Sequence, residues 1–207
     1  MKICFISDYL EGGGAEIYMK VLIKMLKKKG HEVFLIADEE LNGSHPNQEV
    51  NVYKVPFIRK PQDTSEFMAF AQITKESFVL ILDIVSCEKP DLIHVHNIFN
   101  PYLLNYIVDS KFPIVKTLHD VRPFAPKVDK NPLDENELET TWGKSMLEIF
   151  PKFSKIFVFS KFLKELAESC VPQLKHKIVQ LTPFSPIEVL SQKGQTYETI
   201  DSLSHNI

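Results

Sequence analysis

The sequence predicts an α/β fold, a single doubly wound and mainly parallel sheet flanked by helices. Three observations carry that reading. Short apolar runs alternate with longer amphipathic stretches along most of the chain. The short runs are continuously apolar rather than alternating, the mark of strands buried on both faces. The first of them passes through Gly12-Gly13-Gly14 directly into a helical pattern, so strand and helix follow one another from the start.

Taken in order, Ile3–Ile6 is the first buried strand. From Ala15 to Lys29 the residues Ile17, Val21, Leu22, Met25 and Leu26 recur at helical spacing, opposite Lys20, Lys24, Lys27 and Lys28. Gly30 is placed to end that helix, and Val33–Ala37 is the second strand. Leu41–Glu49 reads as a polar loop, and Val50–Val55 as an edge-like third strand closed by Pro56. A long helix fills about Thr64–Glu88 and stops at Lys89-Pro90. Asp91–Val95 is the fourth strand, Pro101–Ser110 a helix with proline in its first turn, and Pro113–Leu118 the fifth strand. Val121–Glu137 is irregular, with Pro123, Pro126 and Pro132. A helix around Glu137–Ile149, a strand at Lys155–Phe159, a helix at Lys161–Ser169 and a short strand at Ile178–Leu181 complete the pattern. Beyond about residue 184 it is lost, and 185–207 reads as a linker remnant or flexible tail.

Composition narrows the function classes. A chain of 207 residues with 44% apolar and 25% charged residues is an ordinary globular protein of one domain, with room for six or seven strands. A net charge of −3 without an Arg-rich run argues against a nucleic-acid partner. Cys4, Cys87 and Cys170 are scattered and read as small buried thiols rather than as a zinc or disulfide framework. No signal peptide precedes the first strand, and no apolar run approaches the ~20 residues that span a bilayer, so the expected location is cytoplasmic.

In a parallel sheet, ligands bind beyond the carboxyl ends of the strands, near the point where strand order reverses. Three polar clusters occupy such positions. Gly12-Gly13-Gly14 would let the backbone approach an anion at a helix N-terminus, although the run is neither a GxGxxG fingerprint nor a Walker loop. A glycine-rich connection without a ligand is the alternative. In His94-Val95-His96-Asn97 both histidines share one face, but no third ligand has metal-site spacing, so no metal is expected. His94 reads as a hydrogen-bonded core residue, with His96 and Asn97 facing the cleft. His119-Asp120 after the fifth strand could bind a sugar hydroxyl or orient a reacting group; a structural histidine is the alternative. Ser160 reads as a helix N-cap, and Lys161 and Lys164 as solvated.

Together, KICFISDYLEGGGAE with its helix running on to Lys-Lys-Gly-His-Glu-Val, then PDLIHVHN, PIVKTLHD, SKIFVFSKFLKEL and KIVQLTPF resemble the N-terminal, acceptor-side domain of family-4 glycosyltransferases. The resemblance covers residues 2–184 and implies a Rossmann-like domain that is one half of a GT-B fold. It implies retaining transfer of a sugar from a nucleotide-sugar to a glycan, lipid or small-molecule acceptor, in carbohydrate biosynthesis. The donor is a co-substrate, and no other cofactor is implied. By resemblance His119 and Asp120 are the catalytic candidates, with His119 hydrogen-bonding the transferred sugar. Gly12, Gly13 and Gly14 fall in the loop that approaches the donor phosphate or the acceptor, while Glu16, His96 and Asn97 line the acceptor side.

The sequence departs from the family in one large respect. The family's nucleotide pocket and paired glutamates lie in a C-terminal domain, and nothing after Phe184 resembles it; Thr182-Pro183-Phe184 stands where the interdomain linker begins. Residues 1–184 are therefore expected to work with a separate donor-binding domain or subunit, and to transfer sugar slowly or not at all alone. A non-catalytic sugar- or nucleotide-binding module is the second reading. An unrelated doubly wound protein, such as a flavodoxin-like domain, is the third, though no flavin-binding loop is evident. Some relatives use a basic helix to meet anionic membrane, which Lys20, Lys24, Lys27, Lys28 and Lys29 would allow at the inner membrane face; a solvated helix face is the alternative.

Overall fold

A computed structural model describes residues 1–8, 13–38, 50–56, 67–98, 100–121, 123–124 and 141–182, with 67–73 and 141–143 described by backbone alone. Gly12, the loop 41–49, the irregular stretch after Phe124 and the tail 185–207 lie outside the described residues.

Seven strands form one sheet: β1 (Lys2–Ser7), β2 (Glu32–Asp38), β3 (Asn51–Val55), β4 (Leu92–Val95), β5 (Ile114–Thr117), β6 (Lys155–Val158) and β7 (Ile178–Gln180). Their spatial order is β3-β2-β1-β4-β5-β6-β7, and every pairing is parallel. The helices are α1 (Gly14–Lys28), α2 (Phe67–Glu88), α3 (Pro101–Val108), α4 (Thr141–Ile149) and α5 (Lys161–Cys170). Two short 3-10 turns, Phe150–Lys152 and Pro172–His176, were not foreseen; in each a proline occupies an opening position where its missing N–H is no loss.

Strand alternation divides the core. Cys4, Ile6, Ile36, Val95, Ile156 and Val158 share one cluster with Val85 of α2, Leu104 of α3, Met146 of α4 and Leu163 of α5. Ile3, Phe5, Leu35 and Ala37 point the other way and meet Met19 and Ile23 of α1. Both faces are thus covered, as continuously apolar strands require.

The observed ends of most elements fall within a few residues of the expected ones. Gly30 takes the left-handed conformation (φ 83°) that stops α1, a geometry for which glycine is suited. Asn100 caps α3 by accepting from Leu103 N–H and donates to Thr74, tying α3 to α2. Ser160 caps α5 through Leu163 N–H, as its position suggested.

Two expectations need correction. Ile17 is not a core residue: it is 51% exposed, because the first turn of α1 stands beside the end of β4 and turns Glu16 and Met19 inward instead. Cys87 is exposed, since the last turn of α2 carries it on the outer side; Cys4 is buried and Cys170 partly so.

Candidate active-site wall at the strand-order reversal

β1 and β4 lie side by side, and the chain leaves them in opposite directions, β1 toward β2 and β4 toward β5. Sheets of this kind bind ligands at such a reversal. The segments after β1, β4 and β5 meet there, and the three expected clusters come together.

The loop entering α1 is held from below. Glu16, 7% exposed, accepts from the backbone N–H of Gly13 at 2.7 Å and from Asn97 Nδ2 at 2.5 Å. The Asp8 N–H donates to the Asn97 carbonyl at 3.2 Å, joining the ends of β1 and β4. Both carboxylate oxygens of Glu16 are therefore engaged, and this side chain fixes the turn rather than offering itself to a ligand. Asn97 is 5% exposed and acts in the same latch.

The two described glycines differ. A β-carbon on Gly13 would come within 3.2 Å of Glu16 Oε2, whereas one on Gly14 would meet nothing within 4 Å. Gly13 makes room for the latch; Gly14 leaves open space at the N-terminus of α1, where unpaired N–H groups and the helix dipole favour an anion. Gly13→Ala is expected to lower stability by about 1 kcal/mol, and Gly14→Ala to raise it by about 0.5 kcal/mol because the unfolded chain loses freedom. If an anion binds here, the Gly14 variant will also bind it more weakly; urea unfolding and nucleotide titration measure the two effects separately.

A second arm is built on histidines. His94 is buried, and its Nε2 lies 2.8 Å from Thr117 Oγ1, making it the core residue the sequence suggested. Burial, helped by the nearby His119 and Lys116, pushes its pKa down to about 3. His96 is 1% exposed and packs at a tilt against both Phe5 and His94, with ring centroids at 5.4 and 4.4 Å. Its Nδ1 lies 3.1 Å from His119 Nε2. Burial, with His94, His119 and Lys116 close by, holds its pKa well below the ordinary value, so the ring is neutral. His119 and Asp120 are half-buried at the end of β5. Tyr18 meets His119 edge-on at 5.6 Å, and Phe159 lies 5.5 Å from the same ring, so an aromatic wall backs the histidine. His96 consequently reaches the cleft through His119.

Lys116 belongs to this region and was not singled out from the sequence. It is 1% exposed and donates to the His96 carbonyl at 2.8 Å. Burial lowers its pKa to about 8, against the opposing pull of Asp8 and Asp120. The available signal was one lysine inside the otherwise apolar strand PIVKTL, a place where a charge is costly. Among the described residues, no group of three or more His, Cys, Asp or Glu is placed to hold a metal ion. The arrangement thus brings helix N-terminal amides, a histidine and an adjacent carboxylate to one end of the sheet.

The model of Glycosyltransferase Family 4 matches residues 12–180. The chain belongs to glycosyltransferase family 4. A comparison with curated proteins finds no match. Among solved structures, sucrose-phosphate synthase from Thermosynechococcus elongatus is similar at a TM-score of 0.60 and 14% identity, covering 94% of this chain and 53% of that one. An alpha-glucosyltransferase in complex with UDP and a 13-mer DNA containing a HMU base gives 0.55 and 17%, covering 92% and 44%. S. aureus MnaA with UDP gives 0.52 and 20%, covering 86% and 43%. These TM-scores show a shared fold, in which this family-4 domain corresponds to the N-terminal half of a GT-B architecture. The domain spans about half the length of these solved chains. No helix among its described residues is long and apolar enough to cross a membrane.

Proposed function

We propose that this chain forms the acceptor-side wall of a retaining glycosyltransferase, and that it moves a sugar from a nucleotide-sugar to a glycan, lipid or small-molecule acceptor together with a donor-binding domain. The observation that carries this reading is the convergence of the Gly13–Gly14 turn, Asn97 and His119 at the strand-order reversal of a family-4 fold. In this reading residues 1–184 are the acceptor-side domain, acting in the cytoplasm. The Gly12–Gly14 turn faces the diphosphate with the N-terminus of α1. His119 hydrogen-bonds the transferred sugar, Asp120 stands beside the reacting centre, and Glu16, Asn97 and His96 hold these groups in place on the acceptor side. UDP in the complexes of two structural neighbours supports a nucleoside diphosphate as the ligand class.

Closing a cleft between two domains supplies the fixed dipoles and water exclusion that stabilise separating charge. One wall supplies little of either, so the chain alone should bind without appreciable turnover. Transfer is measured from UDP-sugars to a glycan panel with the chain alone and with a family-4 donor-binding half added. The expected result is transfer only in the mixture, lowered at least about 100-fold by His119→Ala. Binding without transfer in the mixture would favour a non-catalytic sugar- or nucleotide-binding module. Turnover by the chain alone, lost in the His119→Ala variant so that a contaminant is excluded, would overturn the need for a donor-binding half.

A further inference from the structure

We propose that His96 is a positioning residue: its Nδ1–H donates to His119 Nε2 and so fixes His119 as the neutral Nδ1–H tautomer facing the cleft. The inference rests on the reading of His119 as the sugar-contacting group, and it concerns how that group is prepared.

The 3.1 Å contact between His96 Nδ1 and His119 Nε2 can hold one proton when both rings are neutral. Either His96 donates or His119 does. The other nitrogen of His96 decides between them. Nε2 is buried and meets no hydrogen-bond partner among the described residues, with Phe5, His94 and Tyr18 packed around the ring. If His119 were the donor, the single proton of His96 would sit on that Nε2 as a buried N–H with no acceptor. A buried donor left unmatched costs the full loss of its solvation, and such donors are rarer in folded proteins than underused acceptors. The proton of His96 therefore belongs on Nδ1. His119 must then accept at Nε2 and carry its own proton at Nδ1.

Protonation of His119 is opposed by the same contact. A second proton would go to Nε2 and face the Nδ1–H of His96 directly. Relief would require His96 to move its proton to the unmatched buried position. Other groups stand around the pair on each neighbouring element: Tyr18 on α1, His94 on β4 and Lys116 on β5, with Asp8 and Asp120 acting on Lys116. Lys116, His94 and His119 disfavour a positive charge on His96. The outcome is a His119 ring held in one tautomer by its neighbour. This is the tautomer that a free imidazole side chain disfavours, so its presence is diagnostic.

Long-range nitrogen–proton NMR correlations on the full chain, uniformly nitrogen-15 labelled, read the tautomer and titration of each ring. His119→Asn identifies the His119 signals. The expected result is His119 in the Nδ1–H form when the ring is neutral. In His96→Phe, His119 is expected to revert to the Nε2–H form. His96→Asn, whose amide can donate in place of Nδ1–H, should retain the Nδ1–H form. His119 found as Nε2–H in the unaltered protein would overturn the proposal even if a variant failed to fold. So would an unchanged tautomer in a folded His96→Phe protein. These readouts do not depend on sugar transfer: a tautomer as expected beside a failed transfer assay would sink the proposed function and leave the positioning role standing.

Discussion

Lowering the pH from 6.5 to 4 should cost the domain about 3 kcal/mol of stability through His94 alone. In the unfolded chain His94 takes up a proton near its ordinary pKa of 6.5, whereas in the folded chain burial delays uptake until about 3. Across that window the unfolded state binds more protons, so stability is fully present above 6.5 and is lost as pH falls toward 3. His96, lowered for the same reason, adds to the loss in the same direction. Exposed carboxylates act later. Glu88, held below its ordinary 4.5 by Lys2 and Tyr53, weakens the fold only as pH falls below that value. The early onset therefore belongs to the histidines. Urea unfolding midpoints at pH 7, 6, 5 and 4 measure it, with His94→Gln as the control because its amide can still reach Thr117. The variant should show a flatter dependence between pH 6.5 and 4; equal slopes would rule out His94 as the cause.

Glu16→Ala should destabilise the domain by about 3 kcal/mol, since a hydrogen bond to a charged group contributes roughly 1.5–3 kcal/mol and two are lost. The Gly13 N–H loses its cap, and Asn97 Nδ2 is left buried without its acceptor. Glu16→Gln is the informative companion. Its single amide oxygen can accept from one donor and not both, so it should recover about half of the loss. Urea unfolding gives the totals, and hydrogen exchange at the Gly13 amide reports whether the turn itself has loosened. A Glu16→Ala loss under about 1 kcal/mol, with Gly13 exchange unchanged, would show that the latch does not hold the turn.

The strands were legible because a sheet covered on both faces demands apolar runs, and residues 3–6, 33–37 and 114–115 supply them without interruption. Helix ends were legible where one local device sets them, as at Gly30 and Ser160. The positions of the clusters at the strand ends followed from the strands themselves. What each side chain does within a cluster did not follow. Asn97 lies 81 residues from Glu16, and His119 lies 23 from His96, so no local pattern pairs either couple. Glu16 looked like a group for a ligand because its two donors are a backbone amide and a distant amide side chain. Lys116 was hidden by its apolar neighbours, and the error at Ile17 has a related origin. Periodicity marks an apolar stripe, but the direction in which the first turn overhangs the sheet is a tertiary property.

The pairing of β1 with β4 has a kinetic consequence. Ile3 stands in register with Leu92, and β5, on the far side of β4, begins only at Ile114. The central contact of the domain therefore closes a loop of nearly ninety residues, and the histidine pair needs a segment later still. Contacts so distant in sequence are slow to form, which places this sheet among the slower folders. On the ribosome, β1, α1 and β2 can associate early as a half-sheet with one long uncovered edge. The site itself comes into being only after His119 has emerged, whereas the β1 edge stays unpaired only until β4 has emerged.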